Sequence, residues 1–142
     1  TTLKMKIPIP LNYMGHNKFK RTVQKDLIGI MDMYPGKTIH MGYGDINNYP
    51  FTYVRPLLVY RGNPCFIEAP AMFGADIPEK TLNKLKSGYI KIWLIPRGSE
   101  PFEIRNWYNN KPIFNEEFKK IFYENYECKN QTEYFCIWIK KS

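Results

Sequence analysis

The sequence predicts a single α/β domain, with about four strands in a mainly parallel sheet and helices on both faces of that sheet. Segments with helical periodicity alternate along the chain with short apolar runs bounded by turn residues, which is the pattern of a sheet between helix layers. The length of 142 residues favours one domain. The composition, 44% hydrophobic and 16% aromatic, provides enough apolar surface for a core.

The chain starts with a segment that shows no sustained period. Residues 1–16 hold two prolines and a glycine among short apolar pieces, so we expect an extended lead-in or tether there and the packed domain over residues 17–142. From residue 18 to 34, apolar side chains recur at helical spacing, with Asn17 as the N-cap and Pro35 at the end of the run. This segment predicts the clearest helix of the chain.

Seven further elements follow from the same signals. They are a strand at 38–42, a short helix at 49–61, a strand at 65–68, a helix at 77–86, a strand at 89–95, a helix after Asn115, and a strand at 132–139. Their order is that of Rossmann-like layers.

Local signals support several of these elements. Gly88 suits the end of the helix at 77–86, and Asn115 suits an N-cap with acidic residues following it in the first turn. The strand at 89–95 becomes continuously apolar, which predicts a central position in the sheet. Residues 96–112 form a long loop, and loops of that length usually carry function.

The chain carries a net charge of +8, from 21 Lys and Arg against 13 Asp and Glu. Such a charge attracts nucleic acid, anionic lipid or phosphorylated ligands. It is concentrated near the N-terminus, where six basic residues precede the first acidic one, Asp26. A run of charges is commonly a solvated face. The alternative is contact with anionic headgroups, at ~1 kcal/mol per basic residue near the membrane surface.

The three cysteines, Cys65, Cys128 and Cys136, form no close C-x-x-C pair, so we predict no metal site. The sequence leaves open whether Cys128 and Cys136 form a disulfide; buried cysteines that act as small hydrophobes are the commoner case for Cys65 and Cys136. Asn130 begins an N-glycosylation sequon, which matters only if the chain is exported in a cell that uses it.

The run Gly42-Tyr43-Gly44-Asp45 follows a predicted strand, a place where α/β folds often bind ligands. Two glycines would let main-chain amides approach a phosphate, and Asp45 would suit a sugar hydroxyl. The third glycine of the dinucleotide fingerprint and the helix that it opens are missing. The alternative is a tight turn in which glycine supplies a positive φ.

The chain has no sequence signature of an enzyme. The two histidines are His16 and His40, and the sequence has no G-x-S-x-G nucleophile elbow with a serine that either of them could activate. Carboxylate pairs for glycoside hydrolysis would have to come from Glu100, Glu103, Glu116 and Glu117, and adjacent surface glutamates are common at helix starts. We therefore predict no catalytic residue, no cofactor and no metal in this segment. Nucleic acid is not the expected partner, since the motifs of the known binding modules are missing.

Trp107 lies within the long loop, in the run Asn106-Trp107-Tyr108-Asn109-Asn110. An indole and a phenol near water suit sugar stacking or a membrane interface. The alternative is that Trp107 packs under the loop and attaches it to the sheet.

Several of these motifs together resemble the soluble C-terminal domain of polytopic membrane glycosyltransferases of the family 39 type, similar to dolichyl-phosphate-mannose protein mannosyltransferases and aminoarabinose transferases. The resemblance covers residues 18–139. The residues that carry it are the run 42–45, residues 55–60 with 62–64, residues 93–98 leading into 100–102, Phe118, Phe122, Tyr126, residues 132–135, and residues 137–138.

The resemblance implies an accessory, non-catalytic domain on the extracytoplasmic face of a membrane-bound glycosyltransferase that uses a lipid-linked sugar donor. Its partners would be its own membrane-spanning region and lipid-linked sugar or anionic headgroups, while the segment itself is expected to be soluble. Arg55, Arg97 and Trp107 are the expected contacts, because Arg pairs with phosphate and Trp stacks on sugars. Asp45 is a fourth candidate.

Two alternatives remain open. One is a freestanding nucleotide-sugar or phosphate-binding α/β enzyme that uses the loop from Gly42 to Asp45. The other is a basic adaptor that binds nucleic acid or an anionic membrane.

Overall fold

The computed structural model contains both helices and strands, and it describes residues 9–45, 55–60, 63, 77–106 and 109–142. The helices are α1 (Ile9–Met33), α2 (Arg55–Tyr60), α3 (Glu79–Ser87) and α4 (Glu116–Asn125), and the strands are β1 (Ile39–Met41), β2 (Ile92–Pro96), β3 (Tyr126–Gln131) and β4 (Phe135–Lys140). The structure is therefore α/β, as the sequence predicts. The strand expected at 65–68 lies outside the described residues.

The four strands form one mixed sheet in the order β1-β2-β4-β3. Only β1 and β2 are parallel, with Ile39 opposite Ile92, whereas β4 is antiparallel to both β2 and β3. The expectation of a mainly parallel sheet is thus wrong. The physical reason is the β3–β4 hairpin: a tight turn joins two consecutive strands only if they run antiparallel.

Helix α1 begins at Ile9, well before the expected N-cap at Asn17. Pro10 falls in the first turn, where its missing N–H would have no helical partner and its fixed φ suits the helix. The extended conformation expected for the lead-in is therefore wrong over residues 9–16. The division of the chain into tether and domain at residue 16 stays a prediction.

Strand β3 was not predicted from the sequence. Helix α4 ends at Asn125, and Tyr126 is already extended, with φ −132° and ψ 150°. The Tyr126 hydroxyl donates a hydrogen bond of 2.6 Å to the carbonyl of Ile90, which lies just before β2. This contact fixes the start of the strand, and no turn residue in the sequence marks the change from helix to strand.

Other local signals are confirmed. Gly88 caps α3 in the left-handed conformation at φ 74°, and the Asn115 side chain accepts a hydrogen bond of 2.8 Å from Phe118 N at the start of α4. Strand β2 is buried along its whole length between β1 and β4, so its central position is confirmed. Within the described residues, no helix combines the length and apolar character needed to cross a bilayer.

The apolar side chains of the sheet enter two clusters. Trp93 and Ile95 of β2 belong to the first, together with buried residues of α3 and α4. Ile92 and Leu94 belong to the second, together with buried residues of α1. Because successive side chains of a strand point to opposite faces, β2 contributes to both clusters in alternation.

Phe102 is the centre of the first cluster. Its ring lies 4.9 Å from the rings of Phe114, Phe118 and Phe122 and 5.5 Å from that of Trp93, all in edge contacts. Edge contacts at these distances are favourable beyond the area that they bury. Phe102 has a positive φ of 59°, so the packing of its ring holds the loop after β2 in a conformation that side chains other than glycine rarely adopt.

Candidate functional site

The loop from Gly42 to Asp45 follows β1 and packs against the turn after β2. The Ser99 hydroxyl donates a hydrogen bond of 2.6 Å to Asp45 Oδ1, and Asp45 N donates one of 2.7 Å to Ser99 Oγ. Gly42 N donates to the Leu94 carbonyl over 2.9 Å. Two of the amides that would have approached a phosphate therefore already have partners within the protein.

The two glycines of this loop are needed for close packing. A Cβ on Gly44 would lie 1.9 Å from Ser99 Oγ, and a Cβ on Gly42 would lie 2.7 Å from Ile95 Cδ1. Neither distance leaves room for a side-chain carbon. The expected positive φ is wrong for both residues; the described glycines with positive φ are Gly36, Gly88 and Gly98.

Arg97 lies in the turn after β2 and is exposed. Its main-chain N–H donates to the Tyr134 carbonyl over 2.9 Å, and Nη1 donates to the Thr132 carbonyl over 3.2 Å. The structure thus places Arg97 beside the β3–β4 turn, two residues from the Ser99 that holds Asp45. The guanidinium has further donors available, since a planar arginine side chain carries five N–H groups.

Arg55 is the first residue of α2, whereas Trp107 falls outside the described residues. The structure brings Asp45 and Arg97 into neighbouring loops.

Six lysines lie at the opposite end of the sheet, where β1 and β2 begin and β4 ends. We call this surface the lysine end; it comprises Lys37, Lys84, Lys86, Lys91, Lys140 and Lys141.

Main-chain contacts bring the segments of the lysine end together. Lys91 N donates to the Thr38 carbonyl over 3.2 Å, and Lys140 N donates to the Lys91 carbonyl over 3.0 Å. The end of α3 reaches the same place, because a Cβ on Gly88 would lie 3.0 Å from Lys140 Cγ. Segments far apart in sequence therefore present their lysines on one surface.

The ammonium groups of the lysine end form no ion pair with another described residue. Lys84 Nζ lies 4.7 Å from the centre of the Tyr89 ring, while Lys140 Nζ and Lys141 Nζ donate to main-chain carbonyls over 3.0 and 3.1 Å. Lys37, Lys86 and Lys91 are exposed. Positive charges grouped in this way raise the local concentration of anions.

A cleft of about 470 Å³ adjoins the lysine end. Lys37, Asp32, Tyr34 and Asn63 are among the residues that line it. Asn63 is fixed there, because its side chain accepts a hydrogen bond of 2.8 Å from Ile39 N and donates one of 3.1 Å to the Leu58 carbonyl. The volume falls within the range of small-molecule sites.

The glutamates considered for glycoside hydrolysis surround a lysine. The Lys119 ammonium pairs with Glu103, and with Glu116 at 2.7 Å, in a cleft of about 340 Å³ that Glu100 and Tyr123 also line. Burial lowers the pKa of Lys119, but the hydrogen bonds and charges of the two glutamates outweigh burial and raise it overall. The cluster attaches α4 to the loop after β2.

The lysine end was not predicted from the sequence, in which the positive charge is concentrated near the N-terminus. A long stretch of chain separates Lys84, Lys86 and Lys91 from Lys140. One signal was available: Lys91 lies near the start of the predicted strand at 89–95, and Lys140 directly follows the predicted strand at 132–139. Their convergence depends on which strand ends share an edge of the sheet, which only the topology determines.

Comparisons with known proteins identified no relative. No family model, curated protein or solved structure matches the chain.

Proposed function

We propose that the chain is an accessory, non-catalytic domain of a membrane-bound glycosyltransferase with a lipid-linked sugar donor, and that its lysine end binds anionic lipid headgroups. In this proposal the domain lies on the extracytoplasmic face and its own membrane-spanning region is its partner. The family and the compartment come from the sequence resemblance. The lysine end is the observation that supports binding of headgroups.

Charge and position both support headgroup binding at the lysine end. Each basic residue near an anionic membrane contributes ~1 kcal/mol, and the contributions accumulate when the residues reach the surface together. The exposed Lys37, Lys86 and Lys91 lie on segments joined by hydrogen bonds, so they can reach one surface without a change in fold. The adjoining cleft offers room for one headgroup beside Lys37.

We infer in addition that helix layers cover both faces of the sheet, with α1 on one face and α3 and α4 on the other. The alternating entry of β2 side chains into two apolar clusters supports this arrangement.

The four contacts expected from the sequence do not all fit this proposal. Arg97 lies at the end of the sheet opposite the lysine end, so it would not contact the same membrane surface, while Arg55 and Trp107 remain candidate contacts. The Asp45 carboxylate already accepts a hydrogen bond from Ser99, which counts against the alternative of a nucleotide-sugar enzyme that uses this loop.

Vesicle sedimentation tests the proposal. We expect the wild-type chain to sediment with vesicles of mixed phosphatidylcholine and phosphatidylglycerol, and to stay in the supernatant with phosphatidylcholine alone. The triple variant Lys37→Gln, Lys86→Gln, Lys91→Gln should bind about 100-fold more weakly, since three contributions of ~1 kcal/mol are lost.

The matched control removes three positive charges from α1, as Lys18→Gln, Arg21→Gln, Lys25→Gln. These residues are exposed and share one face of the helix, and they belong to the N-terminal basic segment for which the sequence predicts headgroup contact. The proposal expects a much smaller effect from this control. Equal losses in both variants would show diffuse attraction and overturn the assignment to the lysine end. Tighter binding to a single-stranded oligonucleotide than to the anionic vesicles would favour the adaptor alternative.

A further inference from the structure

Two cysteines lie on the same face of the β3–β4 hairpin. Cys128 is directly opposite Trp138, and Cys136 precedes Trp138 by two residues on β4. Because side chains alternate along a strand and face each other across a pair, both thiols are on the Trp138 side of the sheet. The apolar Phe135 and Ile137 of the same strand belong to the cluster with α1, on the opposite side.

A bulge shifts the register between these cysteines. The pairing moves by one residue between Cys128 and Asn130, so that Gln131 is opposite Cys136. Bulges bend the strand and increase its twist. The Cys128 sulfur lies 3.6 Å from the Asn130 carbonyl oxygen, so the Cys128 side chain extends toward the β3–β4 turn. Cys136 also lies toward that turn.

The two thiols differ in access to solvent. Cys128 is exposed and Cys136 is half-buried, and both are reduced in the structure. Burial raises the pKa of Cys136, as does a hydrogen bond with the Cys128 thiol, while the Gly98 amide and the Arg97 charge lower it. Their places on one face of the hairpin, on either side of the bulge, make the two thiols diagonal neighbours across the β3–β4 pair.

We propose that Cys128 and Cys136 form a reversible disulfide within the β3–β4 hairpin, by exchange with a low-molecular-weight disulfide. The Cys128 thiolate attacks the reagent, forms a mixed disulfide and releases one thiolate. Cys136 then loses its proton and attacks the Cys128 sulfur, releasing the second thiolate. The protein dithiol is oxidised by two electrons and the reagent is reduced to two thiols. The exposed Cys128 reacts first because the reagent reaches it.

The bond would fasten an edge of the sheet. β3 pairs only with β4 among the described strands, so the hairpin forms one of the two edges of the described sheet. A bond between Cys128 and Cys136 closes a short loop and restricts the unfolded chain. This proposal does not depend on the proposed function. It does bear on the compartment, since disulfides persist in oxidising environments and are rare in the cytosol.

Peptide mapping after incubation with oxidised glutathione tests the proposal. Trypsin cleaves after Lys129, between the two cysteines, and therefore separates them onto peptides 121–129 and 130–140, while Cys65 lies on a third peptide. We expect the first two peptides to appear as one linked species, two hydrogen atoms lighter than their sum, and to separate on reduction. The oxidised protein should melt about 5–10 °C above the reduced protein.

A variant without Cys136 should give an adduct of Cys128 instead of a linked pair of peptides. Cys136→Ser should trap Cys128 as a stable glutathione adduct, because no second thiol is present to displace it. A stable adduct on Cys128 of the wild-type protein, or a link from either cysteine to Cys65, would overturn the proposal. Equal melting temperatures of the oxidised and reduced proteins, despite a linked peptide, would also overturn it, since the bond would then not stabilise the native hairpin.

Discussion

Replacing Gly44 by alanine tests whether the loop after β1 is shaped by close packing. In the native structure the added Cβ would lie 1.9 Å from Ser99 Oγ and 2.6 Å from Ser99 Cβ, so the turn after β2 must move away. That movement separates Ser99 from Asp45 and weakens the two hydrogen bonds that join them. The substitution therefore affects packing and polar contacts together.

The expected magnitude follows from three contributions. Overpacking costs about 1–3 kcal/mol, each of the two hydrogen bonds contributes about 0.5–1.5 kcal/mol, and the stiffer unfolded chain returns about 0.4–1 kcal/mol. We expect Gly44→Ala to lower the free energy of unfolding by about 2–4 kcal/mol. Urea denaturation followed by circular dichroism measures this change, and an unchanged m-value shows that the comparison is valid.

Gly29→Ala is the matched control. Gly29 lies within α1, is exposed, and has nothing within 4 Å of its added Cβ, so alanine there should stabilise the protein by about 0.5–1 kcal/mol. A Ser99→Gly substitution should make Gly44→Ala less harmful, because it removes both atoms that the new carbon meets. If Gly44→Ala stabilised the protein as Gly29→Ala does, the close-packing argument would be wrong.

Two further substitutions test contacts that connect distant segments. Asp26 of α1 accepts hydrogen bonds from the Thr132 hydroxyl at 2.7 Å and the Tyr134 amide at 3.1 Å. Asp26→Ala should therefore lower the free energy of unfolding by about 1.5–3 kcal/mol in urea denaturation, whereas Asp32→Ala on the same helix should be nearly neutral. Equal effects of the two substitutions would show that these hydrogen bonds do not stabilise the fold. Burial raises the pKa of Tyr126 to about 12, from 10.0 in the unfolded chain. The stabilisation from its neutral hydroxyl is therefore complete below pH 10 and is lost as the pH rises toward 12. The free energy of unfolding of the wild type should exceed that of Tyr126→Phe by less and less over that interval. A constant difference between the two proteins would refute the pKa shift.

The sequence predicted the elements whose signals lie within a few residues. Asn115 caps α4 with its own side chain, and Gly88 ends α3 through its left-handed conformation, so neither depends on the rest of the fold. The apolar run of β2 predicted a central strand, because a strand that is buried on both faces of a sheet carries apolar side chains at successive positions.

The candidate sites were predicted less well. Asp45 and Gly44 lie where a ligand loop was expected, but their partner is Ser99, more than fifty residues away in the chain. The pattern of glycine and aspartate is the same for a phosphate loop and for a tightly packed turn. The sequence pattern alone does not distinguish the two, since the difference lies in what the loop contacts.

The sequence by itself determined the α/β class, the central strand and the ends of two helices, because hydrogen bonds and side-chain periods within one turn or one strand fix these features. Only the tertiary structure decided that residues 126–131 are a strand, that the sheet is mixed, and that lysines from distant segments share one end of it. Each of these depends on the register between strands, as between Lys91 and Lys140. Register is set by packing across the whole domain, and no local pattern specifies it.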